Sequence, residues 1–600
     1  MRRLRQRRAS EASRAAASGG GAPRAGRSRA WLPGSLIVLL AVGRPAHAQP
    51  GATAQPGQQT AQTSPPVVLT PRVGVTAPPR TLTLDDAIRL TLEQNNDVSI
   101  ARLDVDAARQ DEQAALGVYD PHLVPAFSYQ HVVSPSTSTI GGGTNGRLEQ
   151  SVLAGTLQLA GRTPWGGGRF TADFTSGRNE SSNLLSRLNP QFPSSLGGSY
   201  VQPLLRGRAI DAERRQILLA RKAVDLTDAQ LTQIVMDQLT FVEQAYWDLA
   251  FAGRNLEVLT QALAEAQGQV SSNERQAREG TLAPIDVVEA QTQVANFRQT
   301  VASGQQALTE AENRLKTLML SGREADTWNQ PLVPSDLADR AIPAMTLPDA
   351  VQLALTRRPE LAALATERAQ NDIDHVYYKD LAKPQVNLAG VYTMSGLAGE
   401  ALTTVTDPLS NTTNAAFFTR LNELAALAGI RPLDPPSATT NTVPPFLGGG
   451  YGSSVRNLFA GRFPTVVVQL QMDLPLVNNT AKANIARTEI AGAQIERRRR
   501  QLEQAIEAEV RNALQAVQSS EERRDAAASA RRNALEQYES ELRRFESGLG
   551  TVFLVLQRQT ALVTAQAREL RARADLNQAV SLFDRAIGGT LERHGVKLTP

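Results

Sequence analysis

Two periodicities divide the chain. From Leu231 the apolar positions fall at Val235, Leu239, Val242, Tyr246 and Leu249, then at Leu256, Leu259, Leu263, Ala266 and Val270. Steps of three and four mark a coiled-coil seam. The pattern runs without proline from about 209 to 278, and again from about 481 to 546. At ~1.5 Å per residue each run predicts a rod on the order of 100 Å, far beyond an ordinary globular helix. Each rod stops at glycine, Gly280 in one case and Gly548 with Gly550 in the other, and a return helix is predicted over 284–320 or 552–587. A return helix of that length cannot flank the rod alone. Stacked end to end on the helix before the strands, at 97–119 or 360–382, it matches the rod, so one long helix should lie beside two short ones.

Between the helices the period falls to two. Val466, Val468, Leu470, Met472 and Leu474 alternate with Gln469, Gln471 and Asp473; Val386, Leu388, Tyr392 and Met394 with Asn387 and Thr393; Phe127 and Tyr129 with Ser128 and Gln130. This suits a transmembrane barrel strand and also a half-buried strand of a soluble sandwich. The long helices around these strands leave no second sheet to make a sandwich. Four strands cannot close a barrel, and a lone pair is not stable. Partners on other subunits are therefore expected.

The chain also repeats itself. Thr83-Leu84-Asp85-Asp86-Ala87-Ile88-Arg89-Leu90-Thr91-Leu92 returns as Thr346-Leu347-Pro348-Asp349-Ala350-Val351-Gln352-Leu353-Ala354-Leu355, each opening with a Thr-x-x-Asp cap. Pro121 and Pro384, Gln202-Pro203-Leu204 and Leu474-Pro475-Leu476, and the two tip glycines follow in matching order. This is a tandem duplication, placed at 81–340 and 341–600, not a short solenoid repeat.

Composition narrows the class. The formal charge of +4 hides ten arginines against Glu11 within residues 1–48, which leaves the remainder near −5; a nucleic-acid partner is not indicated. That basic stretch precedes an apolar run from Trp31 to Val42 and closes on Ala46-His47-Ala48. It predicts a signal peptide at 1–48 cleaved after Ala48, the run being too short for a membrane anchor. Its length also admits a translation start downstream of Met1. Proline-rich 49–80 reads as a disordered tether. An exported chain with no 18-residue apolar stretch can enter a membrane only as a β-barrel.

With 41% apolar residues the chain is not globally disordered, and with no cysteine it has no disulfide or thiolate site. The five histidines (His47, His122, His131, His375 and His594) lack metal-ligand spacing. Gly166-Gly167-Gly168 and Gly448-Gly449-Gly450 stand in turn contexts, not at a phosphate cradle. No catalytic, cofactor or metal site is assigned, and the arginines at 497–500 read as a solvated helix face.

The duplicated Leu-x-x-Ala-Ile/Val-x-Leu opening, Gln202-Pro203-Leu204-Leu205-Arg206-Gly207, Ala245-Tyr246-Trp247-Asp248-Leu249, and Gly280-x-x-Ala283-Pro284-x-Asp286-Val287-Val288-x-Ala290-Gln291 resemble the TolC-like outer-membrane efflux proteins. The resemblance covers 81 to about 590. It implies a mainly α fold with β: a homotrimer with about four strands per protomer in a 12-stranded barrel and a periplasmic α-barrel of long helices. The implied partners are a periplasmic adaptor (membrane-fusion) protein and an inner-membrane pump, in drug efflux or type I secretion. The implied location is the outer membrane of a Gram-negative-type bacterium.

The family often closes its periplasmic entrance with carboxylates past the second tip glycine. Here Leu554 and Gln557 occupy those positions, and Gly550 stands where a basic residue can occur; Asp286 and Glu289 hold the equivalent spacing in the first copy. Threefold rings of these acids would make a cation-binding constriction. They read equally as solvated acids favoured at a helix start. Gly280, Thr281, Gly548 and Leu549 are the expected adaptor-docking tips. Two further segments depart from the family: a hairpin-like pair within 148–178, and an insertion at 395–462 with an amphipathic stretch at 417–427. The alternative reading is a soluble periplasmic coiled-coil adaptor or scaffold.

Overall fold

The computed structural model describes residues 71–598 other than 138–145, 184–185, 337–339, 343, 403–411 and 434–442; the expected signal segment, its cleavage after Ala48 and the tether through residue 70 lie outside the described residues. The first copy runs β1 (Arg80–Leu82), α1 (Leu84–Gln94), α2 (Asn96–Leu116), β2 (His122–Pro135), β3 (Arg147–Arg162), β4 (Arg169–Ser181), β5 (Leu188–Pro203), α3 (Ala212–Arg278) and α4 (Pro284–Met319). β6 (Leu332–Pro334) closes the first copy, and the second runs α5 (Leu347–Arg357), α6 (Pro359–Leu381), β7 (Gln385–Ala401), α7 (Thr412–Leu427), α8 (Tyr451–Phe459), β8 (Phe463–Asp473), α9 (Asn479–Glu546), α10 (Val552–Ala586) and a last turn α11 (Thr590–Arg593).

The rods are 67 and 68 residues long, and the predicted stacking holds. α3 packs along both α2 and α4, and α9 along both α6 and α10. Asn95 and Arg358 break the chain between the short helices at extended dihedrals; the Asn95 side chain caps α2 by accepting from the Val98 amide. Both Thr caps form, with Thr83 and Thr346 accepting from the amides of Asp86 and Asp349. The seam residues Val235, Leu239, Val242, Tyr246 and Leu249 are buried in one core with α1 and α4, and Leu263, Ala266 and Val270 in another nearer the tip. Ala350, Val510, Leu576 and Phe583 centre the core of the second copy. A short parallel pair, β1 with β6, joins the two ends of the first copy and has no period long enough to announce it.

The main sheet has six strands in the order β2-β3-β4-β5-β7-β8, all antiparallel. The expectation of about four strands is therefore corrected. The hairpin within 148–178 lies inside the sheet as β3 and β4, separating β2 from β5. No described helix is long and apolar enough to cross a membrane.

Candidate functional site: the wall and the tips

Register gives the sheet two unlike faces. Leu123 and Phe127 of β2, Leu153 and Leu157 of β3, Phe170 and Phe174 of β4, Leu196 and Tyr200 of β5, Leu388 and Tyr392 of β7, and Val466 and Leu470 of β8 share one side. Many are exposed, Phe127 at 86% and Val466 at 67%. Ser128, Thr156, Gln158, Thr171, Asp173, Thr175, Ser199, Thr393 and Gln469 share the other side, where Thr171 and Ser199 hydroxyls meet at 2.7 Å and those of Thr156 and Thr175 at 3.2 Å. A methyl on Gly197, on the polar side, would stand 3.1 Å from Asp173 and 3.3 Å from Thr393, whereas one on Gly390, on the apolar side, would meet nothing within 4 Å. One apolar and one polar face is the form of a barrel segment in lipid. Among the described residues neither edge strand, β2 or β8, has a further partner.

The Gln202–Gly207 motif forms the corner between sheet and rods. Gly207 takes φ +81°, its amide donates to Asp380 of α6 at 2.6 Å, and its carbonyl accepts from Arg214 at 2.6 Å. The β3–β4 turn is held at the same corner. The Gly166 carbonyl accepts from Gln202 at 2.7 Å, and Glu213 at the start of α3 pairs with Arg162 and, at 3.8 Å, with Arg169.

At the far ends of the rods both tips close alike. Gly280 and Gly548 adopt φ +77° and +76°, and the next amide reaches back to the rod, Thr281 to the Gln276 carbonyl at 3.0 Å and Leu549 to that of Arg544 at 2.8 Å. This left-handed glycine closure satisfies carbonyls the helix end leaves free. Pro284 then starts α4, and Thr551 caps α10. Gly550 has its own reason. A methyl there would lie 3.0 Å from the Phe545 amide nitrogen and 3.0 Å from Glu541 Oε1.

The structure brings together two of the four expected constriction residues. Glu289 and Gln557 line one groove of about 680 Å³ with Gln293, Phe553, Thr560 and Arg568, where the Gln293 amide donates to Thr560 at 2.9 Å. Asp286 and Leu554 do not line it. Asp286 sits in the first turn of α4, and Leu554 donates its amide to the Thr551 cap.

The periodicity gives no sign of the polar links gathered near the α3 midpoint. The buried Tyr246 hydroxyl donates to the Leu82 carbonyl at 3.1 Å and accepts from the Asp336 amide at 3.1 Å; burial pushes its pKa up to about 12. Burial works against the charge of Glu243, yet His594 and Arg340 (2.5 Å) hold its carboxyl below the ordinary value. Asp248 accepts from Arg571 at 3.0 Å and from Gln578 at 2.9 Å. The signal in reach was the acid spacing of Glu243 and Asp248 beside the buried Tyr246-Trp247.

Comparisons with known proteins agree with this geometry. Solved structures of similar fold include the CmeC outer membrane channel of Campylobacter jejuni (12% identity, TM-score 0.56, covering 84% of this chain and 86% of that one). They also include the outer membrane protein VceC of Vibrio cholerae (14%, 0.53, 84% and 96%) and the MtrE outer membrane channel of Neisseria gonorrhoeae in its open state (15%, 0.51, 85% and 89%). No curated protein sequence matches significantly. The family model described as outer membrane efflux protein matches residues 170–319 and 446–589, one segment in each copy of the duplication. The chain belongs to the outer membrane efflux protein family.

Proposed function

We propose that the chain is the exit duct of an efflux or type I secretion assembly, acting as a homotrimer with a periplasmic adaptor and an inner-membrane pump. The observation that carries this reading is the six-stranded sheet with one exposed apolar face and edges unpaired among the described residues, mounted on helices of 67 and 68 residues. Edges unpaired in lipid would leave backbone groups unsatisfied, so the wall must close on itself. Three copies contribute eighteen strands, an even number within the range of outer-membrane barrels. A soluble scaffold would have no use for the exposed apolar band.

Asp286 and Glu289 would ring the periplasmic entrance, and Gly280, Thr281, Gly548 and Leu549 would meet the adaptor. Planar-bilayer recording of the purified oligomer with native mass determination tests the duct. A conducting trimer is expected, and a water-soluble monomer without conductance would overturn it. In the same recording Asp286→Asn with Glu289→Gln should weaken block by polyvalent cations, and cross-linkers at Thr281 and Leu549 should capture an inner-membrane-linked partner. Unchanged block, or capture of surface components alone, would remove those two assignments.

A further inference from the structure

The insertion between β7 and β8 carries α7 and α8, to which the duct reading gives no role. α8 crosses β5 and β7 on the apolar face, at the strand ends away from the rods. Ser194 and Gly396, opposite each other in register, form its seat. The Ser194 and Ser454 hydroxyls meet at 2.7 Å, both buried. A methyl on Gly396 would stand 2.3 Å from the Ser454 carbonyl oxygen and 2.7 Å from the Leu458 nitrogen. Asn457 Nδ2 donates to the carbonyls of Leu397 (2.9 Å) and Phe446 (2.7 Å). Small residues on both partners and shared hydrogen bonds are how elements pack where the surroundings are themselves apolar.

The height of the seat is informative. From Val386 to Gly396, β7 rises about 33 Å, or about 25 Å vertically at a tilt of ~40°, the height of an outer-membrane apolar band. α8 therefore begins where the band ends. Its sheet-facing side is filled, and Tyr451, Val455 and Phe459 line up at steps of four on an open flank, Phe459 67% exposed. Phe446 and Phe463 pack at 6.4 Å beside it, with the Arg462 guanidinium 4.5 Å from the Phe446 ring centre. α7 carries a second stripe, Phe417, Leu421 and Leu424, with Phe417 and Leu424 exposed among the described residues and Arg420 at its border. Aromatic side chains with a cation at the edge of an apolar band are suited to the headgroup level.

We propose that this insertion is a lipid-binding collar: α8 and α7 lie in the outer surface of the membrane, their exposed apolar side chains at the boundary between headgroups and acyl chains. The occupant is the bilayer itself, continuous with the lipid that covers the wall below. This rests on the sheet being the membrane wall, so the test carries a separate control for that.

The chain has no cysteine, so a single introduced cysteine reports alone. Spin labels at Phe459→Cys and Leu424→Cys, with Val468→Cys in mid-wall and Glu522→Cys on an exposed rod, are read in full-length protein reconstituted in phosphatidylethanolamine/phosphatidylglycerol vesicles. The readout is collision with oxygen against collision with a water-soluble nickel chelate. The expected result is several-fold lower chelate access at 459 and 424 than at 522, with a depth shallower than at 468. Chelate access at 459 and 424 equal to that at 522, with 468 protected, would overturn the collar and leave the duct intact. Dipolar broadening at 459 that vanishes on dilution with unlabelled chains would assign the flank to a neighbouring copy and also overturn it. A water-exposed label at 468 would sink the wall and the collar together. Gly396→Leu, which cannot coexist with the seated helix, should raise chelate access at 459 while 468 stays protected; unchanged access at 459 would overturn the seat.

Discussion

In the first copy of the duplication the chain crosses the sheet four times between α2 and α3; in the second it crosses twice between α6 and α9 and inserts helices at the outer end instead. The two additions obey different constraints. A hairpin placed inside an antiparallel sheet covers as many edges as it creates, so β3 and β4 slip between β2 and β5 and leave the outer edges as they were. A helix cannot join a ladder and must lie on a face. On an apolar face it needs small residues beneath it, and Ser194, Gly396 and Ser454 supply them. The wall was widened in one copy and covered in the other, with the rods almost unaltered.

The largest expected effect comes from breaking the hairpin. A methyl on Gly177 in β4 would lie 2.4 Å from the Leu153 carbonyl oxygen in β3 and 3.2 Å from Ala154 Cα, both backbone. Gly177→Val should force the two strands apart and abolish the detergent-stable oligomer. The matched change at Gly390, where nothing lies within 4 Å, should leave it intact. Native mass spectrometry reads both, and an assembled Gly177→Val trimer would show that β3 and β4 need not be paired for closure.

Next come the inner ends of the return helices, which the copies seal differently. In the first, Lys316 and Glu312 are each 1% exposed and pair at 2.6 Å; Lys316 also donates to the carbonyls of Trp328 and Gln330, and Arg72 reaches Glu312 at 2.5 Å. Removing one partner of a buried pair costs about 3–5 kcal/mol, while replacing both by apolar residues is often near neutral. Lys316→Met should destabilise by about that amount in chemical unfolding, and Lys316→Met with Glu312→Leu should recover most of it.

The second copy places Asp584 at the corresponding end. Burial raises its pKa to about 6, against the lowering effect of Arg593 (2.5 Å) and Arg340 and with the raising effect of nearby Glu243. The folded state therefore holds this proton to higher pH than the unfolded chain, whose value is near 3.8. Stability should fall as pH rises from about 4 to 6, by on the order of 2 kcal/mol. Asp584→Asn should flatten that slope and no other part of the profile; thermal unfolding against pH checks it. An unchanged slope would mean that Arg340 and Arg593 already offset the buried charge.

Much of this was legible in periodicity. Both rods end at the residues the pattern predicts, Arg278 and Glu546, because their seams run without proline to a glycine. The alternation of Phe170, Ala172 and Phe174 with Thr171, Asp173 and Thr175 marked a strand, but not its neighbours, since pairing is non-local and alternation carries no partner. α8 was illegible for another reason. Its buried residues are Ser454, Asn457 and Leu458, chosen for closeness and hydrogen bonding on an apolar face, while its apolar stripe of Tyr451, Val455 and Phe459 lies on the flank away from the sheet and gives no sign of the seat. The Asp380–Gly207 corner joins residues 173 apart, and only Gly207 hinted at it. Asp286 and Glu289 looked alike in sequence, yet only Glu289 shares a groove with Gln557, because Asp286 falls in the first turn before α4 meets α10.

The smallest effect separates the two tips, where the copies look most alike. Gly280 and Gly548 have nothing within 4 Å of an added methyl, so an alanine there meets only the left-handed backbone, at about 1 kcal/mol each. Amide exchange near Gln276 and Arg544 should accelerate by similar factors in Gly280→Ala and Gly548→Ala. Gly550 breaks the symmetry: its counterpart two residues past the first tip glycine is Leu282, whose side chain packs toward the core. In the second tip the loop instead lies against Phe545 and the buried Glu541, whose Oε1 has no hydrogen-bond partner and whose Oε2 meets Arg544 at 3.3 Å. Gly550→Ala should push that loop outward by a few tenths of an ångström and speed exchange at Phe545, with no effect at Gln276. Equal exchange in Gly550→Ala and the parent would mean the second tip is as loosely packed as the first, and that the absence of a side chain at Gly550 has no structural cause.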